Sequence, residues 1–323
     1  RRVGALLVAL AVSASAQDSA VINVFMASNS DALSLEDGST PDWIEIYNPA
    51  STEINLQGWH LTDDAQEPAK WTFPPGSTLA PGAYLLVYAS GEDLTGPGGE
   101  LHTNFELLGE GEYLSLNRPD GTAQQPFSPA YPRQYTDISY GTAPGGEAYG
   151  YFQTPTPGAE NNSSVLGFVK DTKFSQRRGF YEGPFQLEIT TNTPGASIVY
   201  STDGSTPGPG SPRIMAPDPE TPPVLALTIA TTTIVRAYAE KPGFESTNID
   251  TQTYLFTSDI IKQPNMDPDV VNDPAYRGEI DSALKSIRTL SLVTDPANLF
   301  DNSIGILANT GGRGIAWDRP VSI

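Results

Sequence analysis

Residues 42–64 read DWIEIYNPASTEINLQGWHLTDD. This stretch contains three short runs in which apolar and polar side chains alternate, separated by an Asn-Pro pair and a Gly. Such residue pairs mark turns. A period of two in runs rich in Trp, Ile and Tyr is typical of half-buried strands. The stretch therefore predicts a β-sandwich, with Trp59 and Leu61 pointing to the same face of one strand.

The same stretch carries a family resemblance. The order Asp-Trp-Ile-Glu-Ile-Tyr-Asn, followed by Asn-Leu-x-Gly-Trp-x-Leu-Thr-Asp-Asp, resembles the bacterial lamin-tail domain. Matching motifs continue in order at residues 70–74, 79–87, 89–91, 101–105, 111–114, 119–121, 137–141 and 155–158. The resemblance implies an immunoglobulin-like β-sandwich at residues 20–158, of the kind found in exported multidomain bacterial proteins.

Composition excludes several classes of function. The chain has 323 residues, of which 38 are acidic and 18 are basic, and its formal net charge is -20. Nucleic-acid binding depends on clustered Lys and Arg, so we expect no nucleic-acid partner. The sequence has no Cys, so disulfides, thiolate metal sites and thiol nucleophiles are excluded. Only two His residues are present, which excludes a His-rich metal site.

The first residues have the pattern of an export signal. Two Arg residues precede an apolar run at 3–12, and Ala-Ser-Ala at 14–16 has the small residues of a cleavage site. The chain has no initial Met, so we expect an N-terminally incomplete signal peptide at residues 1–16. The run is too short to span a bilayer as a mature helix. We therefore expect a secreted, periplasmic or cell-surface protein without a membrane span.

A polar run at residues 159–164 predicts a linker, and a second unit is expected at residues 165–256. Alternation at residues 185–189 predicts a strand, and turn signals separate further short strands at 196–202, 233–239 and 251–256. The run Ile-Val-Tyr-Ser-Thr-Asp-Gly-Ser-Thr-Pro at 198–207, with Arg-Ala-Tyr-Ala at 236–239, resembles the carboxy-terminal module of chitobiases and β-hexosaminidases. The resemblance implies a fibronectin-like accessory sandwich. A Pro-rich insertion at 207–223 is expected to be a mobile loop.

Residues 257–323 combine helical and strand patterns. Apolar residues at helical spacing predict a helix within residues 273–287, and residues 289–293 predict a strand. Leu-Ser-Leu-Val in that strand, Asn-Leu-Phe-Asp at 298–301 and Trp-x-Arg-Pro-Val-Ser at 317–322 resemble the opening of the spore-coat protein H (CotH) family of atypical kinases.

The CotH resemblance implies an incomplete α+β segment, the truncated start of a kinase-like domain. The ATP-binding and metal-binding residues of that family would lie beyond the last residue, Ile323. ATP and a divalent metal are therefore implied only if that missing part is present. No catalytic or cofactor-binding residue is predicted in the chain itself.

Acidic residues near the strands of the first unit form a candidate calcium site. The candidate ligands are Asp37, Asp42, Asp63 and Asp64. Calcium takes roughly six to eight oxygen ligands from carboxylates, carbonyls and water. The alternative is that these residues make turn and capping hydrogen bonds. The spacing does not match an EF-hand loop, and both interpretations stay open here.

Other candidate sites have a competing structural explanation. Trp43, Trp59 and Trp71 are either a sugar-stacking platform or core residues. Glu45, beside two of them, is a candidate glycosidase acid, but that chemistry needs a second carboxylate at a fixed separation. His60 and His102 are expected to be exposed or packing residues, because no nucleophile-elbow motif accompanies them.

The sequence as a whole predicts two consecutive immunoglobulin-like or fibronectin-like β-sandwiches, followed by an incomplete α+β segment. The function expected is a non-catalytic scaffold for adhesion or targeting to a surface, protein or polymer. One alternative is that the chain is the front end of an extracellular CotH-type kinase. Another is that the second sandwich binds carbohydrate.

Overall fold

A computed structural model describes residues 20–96, 99–146, 148–264 and 266–323. The chain divides into two compact units, Arg1–Leu166 and Gly167–Ile323. Both units consist mainly of β-strands, and the helices of the described residues are short and lie in the second unit. The fold class is therefore all-β with a small α+β segment, as predicted. The export signal predicted for residues 1–16 lies outside the described residues.

The described part of the first unit forms a β-sandwich. Its strands are β1 (Val21–Met26), β2 (Asp42–Tyr47), β3 (Ile54–Asn55), β4 (His60–Thr62), β5 (Trp71–Thr72), β6 (Thr78–Leu79), β7 (Tyr84–Ala89), β8 (Leu101–His102), β9 (Leu114–Asn117), β10 (Ala123–Phe127), β11 (Ser139–Thr142) and β12 (Tyr149–Phe152). One sheet has the order β12-β11-β1-β2-β7-β8, and a second has the order β10-β9-β4-β5. β3 and β6 form a separate pair. The central strand β2 is antiparallel to both β1 and β7.

The main core of this unit contains residues from both larger sheets. Ile44 and Ile46 of β2 are fully buried in the same hydrophobic cluster as Leu61 of β4 and Leu114 of β9. Burying one such side chain stabilises the fold by about 1.5–3 kcal/mol. Alternate residues of β2 therefore hold the two sheets together.

The opposite face of β2 is also buried, which corrects the prediction of half-buried strands. Trp43 packs with Val24, Met26 and Tyr88 in a second cluster on that face. Apolar side chains of the loop between β1 and β2 cover this cluster: Ala32, Leu33 and Leu35. A sheet covered on both faces needs apolar residues at consecutive positions. This explains why β2 has Ile44 and Ile46 on one face and Trp43 on the other.

The region at 124–158 is rich in Tyr, Pro and Gly, yet it contains strands. β10, β11 and β12 fall largely within it, and β11 pairs directly with β1. A Cβ on Gly141 would lie 2.2 Å from the backbone oxygen of Asn23. Gly is therefore required for this close approach of two strands, although Gly lowers the strand signal in a sequence.

The second unit contains another pair of sheets. Its strands are β13 (Lys173–Phe174), β14 (Gly179–Phe180), β15 (Phe185–Thr190), β16 (Ser197–Ser201), β17 (Arg213–Met215), β18 (Val224–Ile229), β19 (Thr233–Glu240) and β20 (Asp250–Leu255). The sheet orders are β13-β15-β18 and β14-β20-β19-β16-β17. In β15, the buried Leu187 and Ile189 alternate with the exposed Gln186 and Glu188. The period-two prediction is confirmed for this strand.

The Pro-rich insertion at 207–223 is not a loop throughout. Its residues 213–215 form the edge strand β17, in which Ile214 pairs with Ile198 of β16. Edge strands tolerate Pro nearby because one row of their backbone groups faces away from the sheet. The many Pro residues therefore concealed a short strand.

The segment after β20 contains α1 (Thr257–Ile260), α2 (Pro268–Val271), α3 (Ile280–Ser286) and α4 (Pro296–Phe300), with a 3₁₀ turn at Ile315–Trp317. The helix predicted within residues 273–287 is confirmed only over α3. The strand predicted at residues 289–293 is wrong, because only a single bridge joins Val293 to Ser322. Among the described residues, every helix is too short or too polar to span a bilayer.

This last segment contacts the second sandwich through polar groups. Thr253 of β20 and Ser291 have hydroxyl oxygens 2.8 Å apart. The backbone N–H of Thr206 donates to Asp295 at 2.8 Å. Many of the segment's large apolar side chains remain exposed: Ile287, Leu290, Leu292, Phe300, Leu307, Ile315 and Ile323. The segment is therefore less well packed than the sandwich beside it.

Candidate functional site

The first unit carries an open cleft, here called the aromatic groove, with a volume of 680 Å³. Its aromatic lining consists of Tyr47, Tyr84 and Tyr149, and its amide-bearing lining of Asn23, Gln124, Gln125 and Asn161. Ligand clefts have volumes of roughly 300–1,000 Å³ and combine apolar rings with a few polar groups. The groove therefore has the size and composition of a binding site.

Tyr47 and Tyr84 form a stacked pair in the groove. They lie directly opposite each other where β2 ends and β7 begins. Their ring centroids are 4.7 Å apart and their planes are inclined by 24°. Both rings are half-buried. The register of two adjacent strands thus fixes a pair of nearly parallel aromatic rings at the surface.

The third ring, that of Tyr149, is held by a side chain from the other sheet. Gln125 of β10 donates from Nε2 to the Tyr149 hydroxyl at 3.2 Å. Its Oε1 accepts from the backbone N–H of Ile22 at 2.7 Å, which anchors it to β1. The Tyr149 ring also packs against Phe127, with centroids 4.9 Å apart. Tyr149 is nevertheless 41% exposed.

A buried polar network lies next to the groove. Asn161 donates to the backbone oxygen of Thr142 at 2.9 Å and contacts the side chain of Asn23. Asn23 donates to Glu45 Oε1 at 2.7 Å. The backbone N–H of Gly158 donates to Glu45 Oε2. These bonds connect the chain after β12 to the centre of the sheet and position Asn23 and Asn161 in the groove wall.

Burial raises the pKa of the Glu45 carboxyl above its ordinary value, although both hydrogen bonds oppose the shift. Glu45 is fully buried. A glycosidase acid must reach the leaving oxygen of its substrate. The position of Glu45 therefore favours a structural role over the catalytic interpretation.

A second cleft of 880 Å³, here called the acidic cleft, lies on the same unit. Its carboxylates are Glu36, Asp37, Asp42, Glu92, Glu100 and Glu106. Among the described residues, no Lys or Arg lines it. Its apolar wall includes Leu35, Leu94 and Leu107. The cleft therefore favours a cationic group over an anionic one.

The carboxyl of Asp42, in the wall of the acidic cleft, has a raised pKa. Burial raises its pKa to about 6, and the nearby Glu106 contributes to the same shift. The backbone N–H of Asn29 donates to Asp42 Oδ1 at 2.9 Å and opposes it. Burial disfavours the charged form of a carboxyl, which explains the direction of this shift.

The four candidate calcium ligands are divided between two places. Asp37 and Asp42 line the acidic cleft, whereas Asp63 and Asp64 lie in the turn after β4. Asp63 pairs with Lys70 at 2.6 Å, and Asp64 accepts from the backbone N–H of Gln66 at 2.8 Å. No group of three or more His, Asp or Glu in the described residues has the geometry of a metal site.

The turn and capping interpretation accounts for the observed bonds of these residues. Asp37 accepts from both the backbone N–H and the hydroxyl of Ser39, and these bonds lower the pKa of its carboxyl. Calcium binding stays a prediction, and two of its proposed ligands, Asp37 and Asp42, line the acidic cleft.

The three Trp residues are core residues, so the stacking-platform interpretation was wrong. Trp43, Trp59 and Trp71 are 0%, 3% and 5% exposed. A sugar-stacking ring must present an open face. Arg118 further covers Trp59, with its guanidinium carbon 5.5 Å from the ring centroid.

The two His residues have polar partners in the first unit. Nδ1 of His60 lies 2.9 Å from the Thr72 hydroxyl, and Nδ1 of His102 lies 2.9 Å from the Ser90 hydroxyl. His102 is buried and lines the acidic cleft. Both residues therefore pack against the sandwich, as one of the two sequence interpretations expected.

Sequence reasoning missed the aromatic groove. Its residues come from strands that are distant in sequence, and the strand register alone brings Tyr47 beside Tyr84. The available signal was a Tyr at the end of one strand and another at the start of its neighbour. That signal becomes specific only when the pairing of β2 with β7 is known.

The fold and these clefts define a chain of immunoglobulin-like and fibronectin-like β-sandwich modules. Comparison with known families agrees with this class. Residues 13–128 match the model of the Lamin Tail Domain, and residues 176–251 match that of the Chitobiase/beta-hexosaminidase C-terminal domain. A search of curated proteins found no match. The two matches support the first two predicted modules, and the sandwich continues past residue 128 through β11 and β12.

Proposed function

We propose that this chain is a non-catalytic scaffold that targets or attaches an exported multidomain protein to a surface or polymer. The observation that carries the proposal is the aromatic groove. Its rings and amides are fixed by strand register and by hydrogen bonds to the backbone, for example from Gln125 to Ile22. A rigid, open cleft of this kind loses little side-chain entropy when a ligand binds.

The partner proposed is a cell-surface or extracellular protein or a polysaccharide, and the location proposed is secreted, periplasmic or cell surface. The net charge of -20 disfavours nucleic acid as a partner. The match of residues 176–251 to a module typical of extracellular proteins supports the location. The pattern at residues 1–16 points the same way.

A second candidate function follows from the segment 257–323. Its exposed apolar side chains, including Leu290 at 67% and Ile315 at 90%, favour its being part of a larger domain. The resemblance to the CotH family suggests that this larger domain is kinase-like. The ATP and divalent metal that such a domain needs would bind residues outside the present sequence. Sequencing the reading frame beyond Ile323 tests this candidate.

The scaffold proposal is tested by co-sedimentation of the purified chain with insoluble polysaccharides and with bacterial cell envelopes. We expect saturable removal of the folded chain from the supernatant by at least one of these materials. Equal recovery of the chain in the supernatant with and without all of them would contradict the proposal. A heat-unfolded sample controls for non-specific adsorption.

A further inference from the structure

The aromatic groove offers two nearly parallel rings and a third at its edge. Tyr47 and Tyr84 are stacked and half-buried, and Tyr149 is 41% exposed. An aromatic ring presents a flat apolar face with a partial negative charge. The C–H face of a pyranose ring is flat, apolar and partly positive. Because the Tyr47–Tyr84 pair and Tyr149 line the same cleft, they suit a ligand with several flat rings in succession.

The groove also presents hydrogen-bonding groups beside the rings. Oε1 of Gln124 accepts from both Nε and Nη2 of Arg118, at 3.0 and 2.7 Å. These bonds hold the amide oxygen of Gln124, which lines the groove. Asn161 is fixed by its bonds to Asn23 and Thr142. Amides both donate and accept, which matches the hydroxyl groups of a sugar.

The charge of the groove disfavours an anionic ligand. Glu160 is the one charged side chain among its described lining residues. Glycans that carry phosphate, sulfate or uronic acids need Arg or Lys partners. A proline-rich peptide also binds aromatic grooves, and its backbone carbonyls accept hydrogen bonds. However, Pro has no backbone N–H to donate to the amide oxygens of the groove, whereas a sugar hydroxyl both donates and accepts. The observations therefore favour a neutral polysaccharide over both alternatives.

We propose that the aromatic groove binds neutral sugar units of a polysaccharide, with Tyr84 and Tyr149 as stacking residues and Gln124 and Asn161 as hydrogen-bonding residues. This inference rests on the proposed targeting function and names its ligand class. It places the carbohydrate site on the first sandwich, whereas the sequence suggested the second sandwich as the carbohydrate-binding module.

The test is a calorimetric titration of the full chain with cello-, xylo- and chito-oligosaccharides, with a polyproline peptide as a comparison. We expect at least one oligosaccharide to bind. The variants Tyr84→Ala and Tyr149→Ala should each weaken that binding by about tenfold, as truncation of an important contact residue does. Tyr84→Phe, which keeps the ring, should bind nearly as well as the unmodified chain.

Tyr276→Ala is the matched control, because Tyr276 is 56% exposed and lies in the second unit. It should leave binding unchanged. Thermal melting of each variant distinguishes loss of contact from loss of folding. If Tyr84→Ala unfolds, Tyr149→Ala and Gln124→Leu provide the same test.

Three results would overturn the inference: no oligosaccharide binding by the folded chain, binding that Tyr84→Ala and Tyr149→Ala leave unchanged, or binding of polyproline alone. Each remains distinguishable from failure of the scaffold proposal. A chain that still sediments with envelopes in any of these cases keeps its targeting function and loses only this site.

Discussion

The backbone N–H of Gly158 donates a hydrogen bond to Oε2 of Glu45, which lies 113 residues earlier in the chain. The other carboxylate oxygen accepts from Nδ2 of Asn23 at 2.7 Å. Two sequence motifs of the lamin-tail resemblance, at residues 42–48 and 155–158, therefore meet inside one sandwich. A buried carboxylate with a hydrogen bond to each oxygen connects the chain after β12 to the central strand.

Glu45→Ala should destabilise the first unit. The substitution leaves the Gly158 N–H and the Asn23 amide without their buried acceptor, and an unsatisfied buried polar group costs about 1–3 kcal/mol. Urea denaturation should show this loss in the free energy of unfolding of the first unit. Glu53→Ala is the control, because Glu53 is exposed in the turn before β3. Equal stability of the two variants would contradict the structural role of Glu45.

Asp42→Asn should make stability less dependent on pH. The folded-state pKa of Asp42, about 6, lies above the ordinary value of 3.8. The folded chain therefore binds the proton more tightly than the unfolded chain does. As the pH rises from about 4 through 6, the ionisation of Asp42 lowers the stability of the folded protein. Asn keeps an acceptor for the Asn29 N–H and carries no charge.

The measurement is the melting temperature at pH 5 and pH 8. Relative to the unmodified chain, Asp42→Asn should gain more stability at pH 8 than at pH 5. Asp37→Asn serves as the control, because hydrogen bonds to Ser39 lower the pKa of Asp37. A larger gain for Asp42→Asn at pH 5 than at pH 8 would show that the sign is wrong.

Trp43→Ala and Trp59→Ala should damage folding rather than a specific binding activity. Both side chains are buried, and truncation of a buried Trp costs about 3–5 kcal/mol. Trp317→Ala should cost less, because Trp317 is half-buried outside the main cores. A Trp43 variant with an unchanged melting temperature that has lost ligand binding would reverse this interpretation.

The sequence predicted the β-sandwich architecture correctly, but it did not predict which strand faces are covered. The alternation in β15 gave a correct half-buried strand, because only one of its faces is apolar. The alternation in β2 was misleading, since the outer face is covered by the loop that contains Leu33 and Leu35. β11 was missed because Gly141 is required where two backbones meet. Each error concerns a contact made by residues distant in sequence.

The candidate site was less predictable for the same reason. The Asp residues proposed as calcium ligands form a cluster in sequence, yet the structure places Asp37 and Asp42 in the acidic cleft and Asp63 beside Lys70. The aromatic groove depends on the pairing of β2 with β7 and on a Gln from the second sheet. Residue types can suggest such chemistry, but only the strand register brings the groups together.

Calcium binding to the acidic cleft can be tested separately. If Asp37 and Asp42 hold the ion in the acidic cleft, calorimetric titration with calcium chloride should show a saturable site. Asp42→Ala should weaken it, whereas Asp64→Ala in the turn after β4 should leave it unchanged. If titration of the folded chain with calcium shows no heat of binding, these Asp residues serve only in turn and capping hydrogen bonds.

Residues 257–323 should be the least protected part of the chain in hydrogen exchange. Their helices contain four to seven residues, and helices shorter than about 12 residues are marginal without tertiary packing. Exposed apolar residues such as Ile287 and Ile315 show that such packing is limited. We expect fast exchange there and slow exchange in β2 and β19. Uniform protection through Ile323 would contradict this.

We propose that the chain binds its partner through the surface of its first sandwich. Hydrogen exchange of the full chain, with and without the material that retains it in sedimentation, tests this proposal. We predict increased protection near the ends of β2 and β7, around Tyr47 and Tyr84, and in β12 at Tyr149. Protection that increases only within residues 167–323, with the first unit unchanged, would show that the partner binds elsewhere.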